Sequence, residues 1–365
     1  MPQRLLIDGN EAIARGAIQA GCRYFFGYPI TPQSEIAESM SRELPQIGGT
    51  YVQSECEGAS IYMVYGGALA GSRVMTSTSS PGFSLMQEGI SYMAEMETPA
   101  VVVDVMRMGP GIGTGGQHGQ TDYRQLTKGG GHGAYRCIVL APDSPQECFD
   151  HMQLAFHLAD KYRGPLLVAS DFIIGRMAEK VKLHTLEFEP PSAKEWALTG
   201  KAQRGGNRSF FISSPFTYAG PHNYYMKMKE KYRHIEEDEV RWEEYQMDDA
   251  RLLIVAYGSS ARLARGAVDK ARRAGLPVGL LRPITLWPFP QATLRNLGRK
   301  TEKVLVVEDS PGEMVEDVEA ILQGKLPVHL LGMEDRYIPK SRGLVPGGSG
   351  LIMPERILEE IETLL

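Results

Sequence analysis

Cysteine is scarce and dispersed in this 365-residue chain. The four that occur, Cys22, Cys56, Cys137 and Cys148, form no C-x-x-C pair, so neither a structural zinc site nor a self-contained iron–sulfur cluster is encoded. Their spacing also speaks against a disulfide framework. Any metal or cluster the protein works with is therefore expected on another chain. Long apolar runs are lacking too: the longest, such as Ala100 to Val105, are strand-sized, and the N-terminus shows no signal-peptide pattern. These features predict a cytoplasmic protein. Nor is there an excess of positive charge. A formal net charge of −5 gives no general attraction to nucleic acid or anionic membrane, which leaves small molecules and proteins as expected partners.

A hydrophobic content of 42% supports real cores, and the length suits two α/β domains. Strand-like runs (Tyr24 to Gly27, Arg73 to Thr76, Thr98 to Met106, Cys137 to Leu140, Pro165 to Ser170) alternate with helical segments, which predicts a doubly wound parallel sheet over residues 1–182. Residues 183–248 read as a linker carrying a solvated charged helix over Tyr224 to Tyr245. Residues 249–365 read as a second α/β domain, with strands at Leu252 to Ala256, Val278 to Leu281, Val304 to Val307 and Val328 to Leu331. A Gly-rich turn, Gly343 to Gly350, precedes the closing helix Glu355 to Leu364.

The chain is organised around Val52 to Met86. Glu55 and Glu57 stand before a small, Gly/Ala-dense helical segment, Gly58 to Gly71, and the hydroxyl-rich turn Ser77 to Gly82 follows the next strand. A carboxylate held where a strand gives way to a buried helix is either desolvated or tied to a partner, which singles out Glu57. The alternative is a carboxylate that merely caps its helix. Upstream, Pro29 and Pro32 flank Ile30-Thr31 and restrict the backbone there, aiming the Thr31 hydroxyl at a ligand or at the cap of the next helix. Downstream, Arg107 ends a buried strand, placed for a carboxylate ligand or for a salt bridge. Gly111 to Gly116 spells G-x-G-x-x-G, but no apolar helix follows it and no acid ends a second strand about 20 residues on, so a dinucleotide site is disfavoured. His118 and Asp122 fall in the same loop, read as solvated or substrate-facing. The cluster Gly129-Gly130-Gly131-His132-Gly133 predicts a mobile or closely approached backbone.

Tyr28-Pro29-Ile30-Thr31-Pro32, Glu57-Gly58-Ala59 with Gly66-Gly67-Ala68, Pro81-Gly82-Phe83-Ser84-Leu85-Met86 and Arg107-Met108-Gly109-Pro110 follow in one order. Together with Ala256-Tyr257-Gly258, the run Leu281 to Pro290 and Val307-Glu308-Asp309, they resemble the α subunit of the 2-oxoacid:ferredoxin oxidoreductases over nearly the whole chain. Gly9-Asn10-Glu11-Ala12 and Lys128 to Gly133 look most like the two-domain 2-oxoisovalerate-type subunit.

The resemblance implies a thiamine pyrimidine-binding-type domain followed by a transketolase C-terminal-like domain. It implies a reaction in which a 2-oxoacid, coenzyme A and oxidised ferredoxin give acyl-CoA, CO2 and reduced ferredoxin, or the reverse. Glu57 matches the family carboxylate that hydrogen-bonds N1′ of the aminopyrimidine and promotes proton removal by acid–base tuning. Thr31 and Arg107 match positions that orient the oxoacid carboxylate; Pro29, Ile30 and Ser80 match the cofactor-side surface. No GDG…N-type segment for the diphosphate is found, which implies that a β subunit holds the diphosphate, Mg2+ and at least one [4Fe-4S] cluster. Separate γ and ferredoxin-like δ subunits are expected. Two rivals stand beside this reading: a non-redox thiamine enzyme component, transketolase-like or decarboxylase, and a non-catalytic interaction subunit. Cysteine clusters in a co-purifying chain would separate the first reading from both.

Overall fold

A computed structural model of the protein describes residues 4–207, 219–335 and 351–365. The described chain begins with β1 (Arg4–Asp8), α1 (Gly9–Gln19), β2 (Tyr24–Gly27), α2 (Ser34–Glu43), β3 (Thr50–Gln53) and α3 (Glu57–Leu69). It continues with β4 (Val74–Thr78), α4 (Pro81–Glu95), β5 (Ala100–Met106), α5 (Tyr123–Thr127), β6 (Ile138–Leu140), α6 (Pro145–Tyr162), β7 (Pro165–Asp171), α7 (Phe172–Arg176) and β8 (Ala178–Lys182). Then come α8 (Pro221–Asp238), β9 (Trp242–Tyr245), β10 (Leu252–Ala256), α9 (Gly258–Arg273), β11 (Val278–Pro283) and β12 (Thr285–Trp287). The last elements are α10 (Gln291–Gly298), β13 (Lys303–Val307), α11 (Met314–Leu322), β14 (Val328–Leu331) and α12 (Pro354–Leu364). The Gly-rich turn expected at Gly343 to Gly350 lies outside the described residues.

The larger sheet has the order β12-β6-β7-β5-β4-β2-β3. Its strands from β6 to β3 run parallel, and β12 joins the edge antiparallel to β6. At its centre β5 is buried throughout, as its valine run requires of a parallel strand covered on both faces. Val101, Val103 and Val105 enter a core with residues of α1 and α6. Ala100, Val102 and Met106 enter a second core with residues of α3 and α4, which continues into the C-terminal half through Leu253, Tyr257 and Leu286. Chain order along the sheet reverses after β3, so α3 and the loop after β2 meet the loops after β4 and β5 at the strands' carboxyl ends. Ligands in open α/β sheets bind at such switch points.

The smaller sheet has the order β14-β13-β10-β11-β9, with β9 antiparallel to β11. Two elements depart from the sequence expectation. Trp242–Tyr245, expected as the end of a charged helix, is a sheet strand in which Glu244 is exposed and Glu243 reaches Arg282 and Arg265. The helix before it, α8, is not free in solvent, because Met228 and Ile235 are buried and Lys231 reaches Glu97 of the first domain. The segment ahead of α8 is docked as well, with Ala197 buried and the Leu198 amide bonded to the Leu69 carbonyl at 2.8 Å.

The halves are joined by buried polar contacts. Arg282 forks Glu147 with two bonds of 2.7 Å. Gln120, fully buried, is the hub of the seam. Its amide nitrogen donates to Asp171 Oδ2 at 3.2 Å and to the Tyr257 carbonyl at 3.0 Å. Its amide oxygen accepts from Ser260 at 2.8 Å and from the Asp309 amide at 3.0 Å. Gly258 closes the junction with φ of 54°, and a Cβ there would stand 2.7 Å from Asp171 Oδ2. The loop of residues 117–122 is therefore a buried seam and not the solvated loop its glycines suggested; His118 binds Asp309 across it at 2.7 Å.

Gln120→Leu keeps the volume and leaves donors and acceptors on both domains unpaired. We expect it to lower stability by roughly 1–3 kcal/mol for each buried group stranded, read by chemical denaturation. Wild-type stability would show that the seam is held elsewhere.

Candidate active site

Four segments converge at the carboxyl edge of the larger sheet. Glu57 is the first residue of α3 and is 6% exposed. The helix begins there because Cys56 is extended and its sulfur accepts the Ala59 amide at 3.4 Å. That frees the Glu57 carboxylate from capping, and among the described residues no hydrogen bond to it is found. Behind it stands Gly82 of α4, where a Cβ would lie 2.7 Å from Glu57 Oε1 and 2.2 Å from Thr78 Oγ1. The helix can lie this close to the carboxylate only with no side chain at position 82. Glu55 is exposed.

Arg107, at the end of β5, is 3% exposed. Its Nη1 donates to the Thr31 carbonyl at 2.7 Å and its Nη2 to the Ile112 carbonyl at 3.3 Å, while Nε is buried with no acceptor. Burial pushes the guanidinium below its ordinary pKa; Asp122, Asp104 and Glu57 oppose that shift. The structure brings Arg107 and Thr31 together, through the Thr31 carbonyl. The hydroxyl belongs to an exposed residue and has no hydrogen-bond partner among the described residues. Pro29 is exposed and Ile30 half-buried on the same loop. That loop is pinned from below by Gln33, which donates to the Tyr28 carbonyl at 3.1 Å and accepts from Ser77 at 2.5 Å.

Ser80, expected as a cofactor contact, spends its hydrogen bonds within the protein. Its amide donates to Asp104 Oδ1 at 2.9 Å, its hydroxyl donates to Asp122 Oδ2, and the same oxygen accepts the Arg107 amide at 3.1 Å. Its φ is 25°, a conformation that costs a non-glycine residue about 1–3 kcal/mol and persists only where the surroundings enforce it. Here the two aspartates and Arg107 enforce it. Asp104 and Asp122 carried no sequence assignment of this kind: Asp104 was hidden in a valine run, and Asp122 sat in an aperiodic Gly-rich loop. A charged residue inside a fully buried strand was the signal available for Asp104. Burial, reinforced by the charge of Asp122, pushes Asp104 well above the usual carboxylate range. Burial also pushes Asp122 up, to about 6, against hydrogen bonds from Ser80, Gln125 and Asp104.

The G-x-G-x-x-G run forms a single 3-10 turn, Ile112–Thr114, and no phosphate-binding helix. The second Gly cluster is closely approached: Cβ atoms at Gly130 and Gly131 would meet Gln87 atoms at 2.4 and 2.6 Å.

A doubly wound sheet with a buried glutamate at its switch point, joined to a smaller α/β domain, defines a two-domain α/β fold. A split-gene transketolase, an inactive β4 tetramer, has the same fold at TM-score 0.59 and 13% identity, over 98% of this chain and 97% of that one. Residues 15–247 match the family model "Pyruvate flavodoxin/ferredoxin oxidoreductase, thiamine diP-bdg", and residues 250–338 match "Pyruvate:ferredoxin oxidoreductase core domain II". The ketoisovalerate oxidoreductase subunit VorB of Methanothermobacter marburgensis is 50% identical over 86% of this chain and 88% of its own. The 2-oxoglutarate synthase subunit KorA of Methanocaldococcus jannaschii is 40% identical over 86% of this chain and 91% of its own. Among solved structures, the 2-oxoglutarate:ferredoxin oxidoreductase of Magnetococcus marinus, with 2-oxoglutarate, coenzyme A and succinyl-CoA bound, superposes at TM-score 0.84 and 26% identity. It covers 99% of this chain, which spans 65% of that one. The chain belongs to the pyruvate flavodoxin/ferredoxin oxidoreductase family.

Gly82→Ala tests the carboxylate's placement. The methyl group overlaps both Thr78 and Glu57, so we expect the fold to survive with a loss of at least about tenfold in turnover, the scale of one displaced acid–base group. Unchanged turnover would mean that Glu57 is not held by this contact.

Proposed function

We propose that this chain is the α subunit of a 2-oxoacid:ferredoxin oxidoreductase whose preferred substrate is a branched-chain 2-oxoacid, and that it supplies the aminopyrimidine-side half of the active site. The observation that carries the reading is Glu57, buried at the switch point with no hydrogen-bond partner among the described residues, beside Arg107 and Thr31. The residues present fit thiamine diphosphate, since a ring nitrogen carrying a proton would satisfy the carboxylate of a buried glutamate that has no hydrogen-bond partner among the described residues. When bound, thiamine diphosphate supplies the carbon nucleophile and electron sink for cleaving the oxoacid's carboxyl–carbonyl bond. Glu57 would hydrogen-bond N1′ and hold or release the proton there. Pro29 and Ile30, on the loop that carries Thr31, would contact the cofactor.

Arg107 orients the oxoacid carboxylate. Two of its five N–H donors go to the carbonyls of Thr31 and Ile112, which fix the plane of the guanidinium and leave donors for a ligand. The Thr31 hydroxyl adds one bond to the same carboxylate. Ser80 contributes from beneath, by fixing the Arg107 backbone. The diphosphate, its Mg2+ and the [4Fe-4S] clusters are assigned to a β subunit. Further γ and ferredoxin-like δ subunits complete a cytoplasmic complex that takes coenzyme A as cosubstrate and ferredoxin as electron acceptor. The preference for a branched oxoacid is supported by the 50% identity to a ketoisovalerate oxidoreductase subunit, against 40% to a 2-oxoglutarate synthase subunit.

The test is made on the assembled complex. Coenzyme A-dependent reduction of ferredoxin is measured with 2-oxoisovalerate, pyruvate and 2-oxoglutarate, together with hydrogen exchange at C2 of bound thiamine. We expect 2-oxoisovalerate to give the highest kcat/KM. Glu57→Gln should keep the cofactor and slow C2 exchange by about 10²- to 10⁴-fold, the range for one positioned acid–base group. A higher kcat/KM for 2-oxoglutarate would overturn the substrate assignment, and near-normal exchange would overturn the role of Glu57.

A further inference from the structure

Asp104 and Asp122 lie directly beneath this site, 0% and 3% exposed, and reach it from different segments, the middle of β5 and the loop before α5. Asp122 is fully provided for: Oδ1 accepts the Gln125 amide at 2.5 Å and Oδ2 accepts the Ser80 hydroxyl. Asp104 is not, because Oδ1 accepts the Ser80 amide at 2.9 Å while Oδ2 is buried with no donor. A bare carboxylate oxygen beside a second carboxylate is costly, and one shared proton removes both the vacancy and the repulsion.

Among the described residues, Arg107 acts on both aspartates from the β5 side, with Glu57 beyond it; Glu313, at the seam with the C-terminal domain and paired to Arg124, acts on Asp122 from the other. Glu313 accepts the Arg124 amide at 3.0 Å and is itself pushed up to about 7 by burial, so it too gains negative charge as the pH rises through neutrality.

We propose that Asp104 and Asp122 hold one proton between them and act as a positioning pair for Arg107, so that loss of this proton to solvent at alkaline pH weakens binding of the anionic oxoacid. With the proton in place the pair carries a single negative charge against Arg107. Without it, two charges draw the guanidinium down and repel the substrate carboxylate. The coupling rests on the reading of Arg107 as the carboxylate ligand; the shared proton does not. One further unit charge a few ångströms away, at an effective dielectric constant of about 20, corresponds to a loss of roughly tenfold or more in affinity.

Two measurements on the complex separate these parts. In the first, the thermal stability of wild type and Asp104→Asn is followed from pH 5 to pH 9. A carboxyl raised by folding stays protonated in the native state while its unfolded counterpart ionises, so stability declines as pH rises from about 4 toward the folded pKa. Asparagine can accept from Ser80 and donate to Asp122 without titrating, so the stability of Asp104→Asn relative to wild type should grow with pH. In the second, KM and kcat for the oxoacid are measured at saturating coenzyme A. We expect the wild-type KM to rise about tenfold between pH 7 and pH 9 with kcat changing less than about threefold, and the rise to fall below about threefold in Asp104→Asn. Asp104→Ala, lacking the bond to Ser80, should raise KM at every pH.

A stability gap independent of pH would overturn the shared proton. A KM profile in Asp104→Asn that parallels wild type would overturn the coupling. Arg107→Lys identifies the level of failure: if it raises KM strongly while the Asp104→Asn profile parallels wild type, the carboxylate reading stands and the coupling falls. If Arg107→Lys leaves KM unchanged, the carboxylate reading falls, and the coupling with it.

Discussion

A guanidinium and two carboxyl groups buried together at the end of β5 constrain everything around them. Water is excluded there, so each polar atom must find a partner in the protein, and most find it in Ser80 or in a carbonyl of the neighbouring loops. Ser80 accepts an unfavourable φ to serve all three groups. The Thr31 loop is held because its carbonyl satisfies Arg107. Glu57 stands apart from this network, a buried residue whose carboxylate takes no hydrogen bond among the described residues, and the proposed chemistry rests on it.

The second domain serves the same edge. It lends β12 to the larger sheet and shares one apolar core with α3 and α4, so the two halves do not meet as separate bodies. The seam runs through Gln120, Asp171 and Asp309, and Asp122 is two residues along the chain from its hub. The loop that joins the domains therefore also supplies a side chain to the floor of the site. Movement at the seam would reach Arg107 through Asp122 and Ser80.

Much of this was legible in the sequence, for identifiable reasons. β5 declares itself through its valines, α6 through Ser144 and Pro145 at its start, and Glu57 through its place before a small-residue helix. Thr31 and Arg107 stood out against prolines and a strand end, and the structure brings them together. What escaped were features whose cause lies far along the chain. β12 has three residues ahead of a proline and pairs with β6 from the other domain. β9, Trp242-Glu243-Glu244-Tyr245, has exposed Trp242 and Glu244 alternating with half-buried Glu243 and Tyr245, and its charge reads equally well as a helix end. Gln120 and Asp122 lie in a Gly-rich loop with no periodicity to give away their burial, and local spacing does not tell that the Ser80 hydroxyl turns to Asp122.

The central claim is that this chain holds the pyrimidine-side carboxylate and that another chain completes the site. Titration calorimetry of thiamine diphosphate with Mg2+, against the isolated chain and against the assembled complex, tests it most directly. Weak binding to the chain alone and tight, Mg2+-dependent binding to the complex is the predicted result; tight, Mg2+-dependent binding to the isolated chain would contradict it.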